Sequence, residues 1–320
     1  MPKRHNSQAK RRNRRERVGA AIFLAPSLIG VFLFFVLPFM VVIYYSMIDN
    51  PITANFVGFK NFANVFQNGA FKLAGRNTLK FSFVAMPLSV VLSLLLAVML
   101  DHKIPLRSQF RACFLTPMMV PVASIVLIVQ VMFHYNGAVN HVISQITGGD
   151  IGWLSHFLSD NAANTVQNFA AGKIDWLKSD YAQWVIVFLF LWKNLGYNMI
   201  LFLSALEAIP RDILEVAYME SASDTQIFWH IKIRYLSSTI LFVTILSLIN
   251  SFKVFREIYL LTGDYPYDSL YMLQHFMNNT FKSLDYQKLS SAAIFMSLVM
   301  IVIIGVLFII ENHFGKDMEE

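Results

Sequence analysis

Residues Leu206–Leu236 read LEAIPRDILEVAYMESASDTQIFWHIKIRYL and form a polar interruption between two long apolar runs. Pro210 stops the helix that precedes it, because the residue before a proline is pushed out of the α region. Asp212, three residues before Glu215, reads as an N-cap with a capping-box partner. Ser223, three residues before Gln226, repeats the signature. The spacing therefore predicts a short helix from about Ile213 to Met219, a tight turn, and a second helix beginning near Asp224. Ala217 and Ala222 are small enough to let another surface approach, and Glu215 and Glu220 offer carboxylates to a basic partner. Any polytopic protein has amphipathic loops, so docking competes here with an ordinary surface connection.

The rest of the chain says what surrounds this stretch. Of 320 residues, 56% are hydrophobic and only 14% charged. Runs of about 20 apolar residues recur, enough to cross a bilayer. They lie near Val18–Met47, Asn77–Leu100, Ala112–Phe133, Ala182–Ala205, Ser237–Leu261 and Leu289–Ile310. The first is too long for the apolar core of a signal peptide. An all-α, polytopic membrane protein of six transmembrane helices is the expected fold class. Cys113 is the only cysteine, so an internal disulfide is excluded. The net charge of +6 is concentrated in Lys3, Arg4, Lys10, Arg11, Arg12, Arg14, Arg15 and Arg17. Directly before a span, such a cluster reads as a cytoplasmic anchor beside anionic lipid rather than as a nucleic-acid arm. Six spans put both termini on one side. With the basic tail inside, inner Lys and Arg outnumber outer ones about two to one, as the positive-inside rule requires. The expected divisions are a basic cytoplasmic tail, 1–17; a first helix and extracellular connection, 18–76; a five-helix core, 77–311, containing the 206–236 loop; and a cytoplasmic tail, 312–320.

Polar residues inside the spans mark a candidate pathway. The fourth run carries Lys193, Asn194, Tyr197 and Asn198 on an arc of about 140°. Lys193 lies about 16 Å into the run, near the centre of a hydrocarbon core of about 30 Å. A charge there requires water or a partner. The fifth run carries Asn250, Lys253, Arg256 and Glu257. On an unbroken helix Asn250, Lys253 and Glu257 share a face about 60° wide, and Lys253 and Glu257 stand at i, i+4, a spacing at which they could pair. A polar network bracing helices is the competing reading, above all for Asn194 and Asn198.

No P-loop, G-x-S-x-G, H-E-x-x-H or catalytic Cys–His constellation is present in the sequence. A nucleotide site, a zinc site and enzymatic catalysis are therefore not expected of this chain.

Glu215-Val216-Ala217, Glu220-Ser221-Ala222, Gln226, Phe228 and Ile231 resemble the EAA motif of the membrane-spanning subunits of ABC importers. Leu206-Glu207-Ala208-Ile209-Pro210 is similar to the family's approach to it. Val216, Glu220, Ser221 and Arg234 depart from the usual Ala, Asp, Gly and Pro. Ser221 is the departure with a backbone consequence, since Gly accepts a left-handed conformation cheaply and Ser does not. Leu24-Ala25-Pro26 through Phe35-Val36-Leu37-Pro38 resembles the first span of sugar-type permeases. Phe56, Gly58, Phe59, Asn61 and Phe62 resemble a GxxNF segment outside the membrane, and Tyr259-Leu260-Leu261-Thr262-Gly263 resembles the outer end of the fifth span. The resemblance, from about Leu24 to Ile310, implies a type I ABC importer permease of the sugar-type branch. It implies a second permease subunit in a heterodimer, two ATP-binding cassette subunits holding ATP and Mg, an extracellular solute-binding protein and a carbohydrate solute. Glu215, Ala217, Glu220, Ser221 and Ala222 would couple to the ATPase. Asn194, Tyr197, Asn198, Asn250, Lys253 and Glu257 would line the substrate pathway. Alternatives are the same role for a glycerol-phosphate-type solute and a stand-alone secondary transporter. The latter needs ion-coupling carboxylates, and Glu257 is the one candidate within the spans.

Overall fold

The computed structural model describes residues 21, 23–101, 107–147, 168, 171–172, 174–179 and 181–315. The basic tail of residues 1–17, Lys103, Gly148, Gly149, Asp150, Trp153, Lys173 and Lys316 lie outside the described residues. Among the described residues the regular structure is helical, with one isolated bridge, Ile48–Phe56. Six helical stretches are long and apolar enough to cross a membrane: Phe23–Ser46, Gly69–Asp101, Val122–Thr147, Ala182–Glu207, Ser237–Thr262 and Tyr286–Asn312. They are called here the first to sixth spans.

Two spans differ from expectation. The second starts at Gly69 rather than near Asn77, because amphipathic turns extend the apolar run outward. The third was expected at Ala112–Phe133. Instead Arg107–Met119 is one helix, which tolerates Pro117, and Pro121 caps a separate helix at Val122–Phe133. Pro121 cannot donate an amide hydrogen to a continuing helix, so the chain breaks there. A turn at His134–Gly137 then leads into Ala138–Thr147.

The described residues fall into two compact units. The first comprises residues up to Gln67 together with Thr280–Leu298, the second Asn68–Asn279 with the residues from Val299 on. In the first, Asn61 Nδ2 donates to the carbonyls of Ser46 (3.0 Å) and Ile48 (2.8 Å), which fixes the helix Lys60–Gln67 against the exit of the first span. Tyr45 meets Tyr286, and Phe66 meets Phe295 edge-on. Asp49 closes the intervening turn by accepting from Asn55, Thr53 and Asn50, and these bonds, led by the Asn55 side chain, hold its carboxyl below the usual range.

The second unit is organised around the fourth span, half of whose most apolar window is buried. In lipid the hydrophobic effect gives helices little reason to associate, so close packing and polar contacts must hold them. The second span supplies a buried stripe of small residues, Ala74, Thr78, Ser82, Ala85, Ser89, Ser93 and Ala97, at helical spacing. Against it lie two buried clusters. One includes Phe81, Ile186, Leu189 and Ile258, the other Leu100, Met199, Phe202 and Leu236. Gly196 lets the fourth span touch the helix Arg107–Met119 backbone to backbone. A Cβ there would stand 1.9 Å from the Phe114 carbonyl oxygen.

Candidate functional site: a polar cavity and a helical hairpin

The 206–236 stretch forms two helices joined by a tight turn. The first is Arg211–Met219, with Pro210 as its N-cap and no side-chain cap. Asp212 is thus a first-turn residue, not the N-cap expected from the sequence. The proline starts the helix two positions earlier than expected, and no side-chain acceptor caps it. The exit is a Schellman motif: Ala222 N donates to Ala217 O and Ser221 N to Tyr218 O, both at 3.0 Å. Ser221 takes the left-handed position, with φ +61°. Ser223 then caps the second helix with a complete capping box to Gln226. That helix passes from Asp224–Ile227 through a π turn at Phe228–Lys232 into Ile233–Tyr235. Tyr218 Oη donates to Asp224 across the turn (3.2 Å).

Ala217, Glu220, Ser221 and Ala222 line a hollow of about 430 Å³ together with Gln226, Ile227, His230 and Ile231. Glu215 is exposed on the same helix but is not part of that lining. Val216, Met219 and Trp229 are also largely exposed, which makes the hairpin surface unusually apolar for a loop. One ion pair ties the hairpin to a span, and a second group ties the end of the fourth span to the helix Arg107–Met119. Lys232 Nζ lies 2.7 Å from Asp101 Oδ2 at the end of the second span, with both side chains largely buried. Glu207 Oε1, at the end of the fourth span, accepts from Arg107 (2.8 Å) and Arg111 (2.6 Å). The i, i+4 spacing of Arg107 and Arg111 is a sequence signal that points to a shared partner.

A cavity of about 460 Å³ opens between the fourth and fifth spans. Lys193, Asn194, Tyr197, Asn250, Lys253 and Glu257 all line it, as do Met118 and Arg256, which sequence reasoning had not placed in the pathway. Asn250 Nδ2 donates to Asn194 Oδ1 (3.1 Å), and Asn194 Nδ2 donates to the Phe190 carbonyl (2.8 Å). Two expectations fail here. Glu257 pairs with Lys193, not with Lys253. The fifth span breaks at Lys253–Val254, between helices Ser237–Phe252 and Phe255–Thr262, so the i, i+4 geometry of Lys253 and Glu257 does not exist. Asn198, expected in the pathway, is fully buried away from the cavity lining. Its Nδ2 donates to Ser89 Oγ and Ser247 Oγ, both at 3.0 Å, and so braces the second, fourth and fifth spans. Glu257 is 5% exposed, and its second carboxylate oxygen has no hydrogen-bond partner among the described residues.

Six apolar spans, a polar cavity between the fourth and fifth of them, and a helical hairpin continuing from the fourth define a multi-pass membrane transport subunit. The family model for the binding-protein-dependent transport system inner membrane component matches residues 89–320, and the chain belongs to that family. It is 28% identical over 301 residues to the multiple sugar-binding transport system permease protein MsmF of Streptococcus mutans, covering 93% of this chain and 95% of that one. It is 26% identical over 318 residues to the trehalose/maltose transport system permease protein MalF of Thermococcus litoralis, covering 98% and 99%. A solved bacterial ABC transporter involved in the import of the acidic polysaccharide alginate contains a chain that matches with a TM-score of 0.74 at 20% identity, covering 98% of this chain and 100% of that one. That likeness is one of fold, the all-α fold of an ABC importer permease.

Proposed function

We propose that this permease forms half of the transmembrane pathway of an ATP-driven carbohydrate importer and receives the power stroke through residues 206–236. The observation that carries the reading is that one helix, Ala182–Glu207, holds cavity residues at its middle and runs at its end into the hairpin. A movement of the hairpin therefore displaces the cavity wall directly. The solute class follows the names of its relatives, which transport multiple sugars or trehalose and maltose. Amides and a phenol in the cavity suit hydroxyl-rich solutes.

In this reading ATP and Mg bind two separate ATPase subunits, and the chain itself hydrolyses nothing. The hollow beside Glu220 and Ala222, with exposed Val216, Met219 and Trp229, accepts the ATPase surface, and Glu215 lies where a basic group of that surface would reach it. A second permease completes the pathway, and an extracellular binding protein delivers the solute. Both termini and the hairpin are cytoplasmic, with 1–17 and 312–320 as tails flanking a first helix and connection, 18–76, and a core, 77–311.

The test is reconstitution of the permease pair, ATPase and binding protein in liposomes. ATP-dependent oligosaccharide uptake, with hydrolysis stimulated by loaded binding protein, is expected. Uptake by the permease alone, driven by an ion gradient, would replace this reading with that of a secondary transporter.

A further inference from the structure

The cavity holds more positive charge than its own residues compensate. Lys193, Lys253 and Arg256 face one carboxylate, Glu257. Lys193 is taken up by the ion pair with Glu257. Lys253 and Arg256 are exposed, and their side chains make no hydrogen bond or ion pair with the described residues. Both lie within a membrane-crossing segment, where an uncompensated cation is strongly disfavoured unless it faces water or an anion. The turn at Lys253–Val254 places them along the cavity wall, three residues apart.

A second observation is independent of charge. The second oxygen of Glu257 is buried, has no partner among the described residues, and belongs to a residue lining the same cavity. A buried acceptor left without a donor is costly, and a carboxylate oxygen accepts readily from a hydroxyl. An inorganic anion without a hydroxyl, such as chloride or sulfate, has no proton to give it and would be repelled. The two observations together call for one molecule carrying both an anionic group and hydroxyl donors. A neutral sugar would satisfy Glu257 and leave two cations uncompensated.

We propose that the solute is an acidic carbohydrate, whose carboxylate or phosphate seats between Lys253 and Arg256 while a hydroxyl donates to the free oxygen of Glu257. The proposal rests on the reading of this cavity as a carbohydrate path. Arg256 is the specificity-determining residue, since its planar fork matches a two-oxygen anion in a way that an ammonium does not.

The experiment uses the complete importer with its binding protein. The binding protein is first exposed to an array of neutral oligosaccharides, uronic-acid oligosaccharides of the same lengths, and sugar phosphates, and its captured ligand is identified by mass. Capture of acidic members is expected, and the uronate and phosphate arms tell the two anionic groups apart. Capture of neutral members alone overturns this proposal and leaves the carbohydrate reading standing. Capture of none counts against both. With the captured acidic sugar, Arg256→Gln and Lys253→Gln should each raise the KM for uptake in liposomes at least tenfold, while the affinity of the binding protein, which neither variant touches, stays the same. Arg256→Lys should recover part of the loss. An unchanged KM in the Gln variants, with or without a lower yield of complex, means that the cations meet a fixed carboxylate of the second permease or a lipid phosphate, and the proposal falls.

Discussion

At Ser221 the backbone adopts φ +61°, and the side chain gains no buried contact in return, since the residue is exposed. A left-handed residue other than glycine costs about 1 kcal/mol. Ser221→Gly should therefore stabilise the hairpin by about 0.5–1 kcal/mol, seen as a higher melting temperature of the purified permease. An unchanged or lower value would show that the hydroxyl compensates for the strain. His275 makes a pH-dependent contribution. It is fully buried beside Phe255, its Nδ1 accepts from the Met272 amide, and its Nε2 has no partner among the described residues. Burial lowers its pKa from the ordinary 6.5 to about 4. The folded state thus binds the proton later than the unfolded chain. This stability is complete above pH 6.5 and is lost as pH falls from 6.5 towards 4, by about 3 kcal/mol in all. Unfolding followed between pH 7 and 4 should show that slope, and His275→Gln should flatten it. Asn198 and Asn250 separate bracing from solute contact. Asn198→Ala removes two interhelical bonds and should lower stability by about 1–2 kcal/mol, read as a lower yield of assembled complex. Asn250→Ala should instead raise the KM for uptake with yield retained.

Among elements, the contacts that matter most join the hairpin to the spans. Lys232 is 14% and Asp101 23% exposed, so their pair is better protected from solvent than a surface salt bridge and is worth about 1–2 kcal/mol. It connects the second helix of the hairpin with the end of the second span, whereas Glu207 connects the fourth span with Arg107 and Arg111. Lys232→Asp and Asp101→Lys should each weaken the stimulation of ATP hydrolysis by loaded binding protein, and the double exchange should restore part of it. A double variant no better than either single one would remove this pair from the transmission path. Gly196 enforces the remaining close contact, with the helix Arg107–Met119, because any side chain there would overlap the Phe114 carbonyl.

At the scale of the whole molecule, the orientation in the bilayer is testable from one loop. Asp268 lies in the short 3₁₀ turn Asp268–Leu270 after the fifth span, on the side opposite the hairpin along that span. With exposed Cys113 replaced by Ala, an Asp268→Cys variant should react with a membrane-impermeant maleimide in intact cells whose outer barrier is open. Reaction only after lysis would invert the topology. The first and sixth spans bury none of their most apolar windows within the chain.

Hydropathy determined the all-α class and the number of crossings, because a span of bilayer length must be apolar whatever it packs against. The capping box at Ser223 and the special backbone at Ser221 were also legible, since caps and left-handed residues follow from local chemistry. Asn194, Tyr197, Asn250, Lys253 and Glu257 could be nominated as cavity residues because a polar side chain at membrane depth needs a reason. Tertiary structure alone decided what each one touches. Helical periodicity put Lys253 opposite Glu257, but the break at Lys253–Val254 hands Glu257 to Lys193, 64 residues away in sequence. Asn198 shares a helix with Asn194, yet faces Ser89 and Ser247 instead of the cavity. The period of a helix assigns residues to faces. Which face meets the cavity and which meets a neighbouring helix depends on how the spans pack, and that packing is set by small residues such as Gly196 whose partners lie far away in the chain.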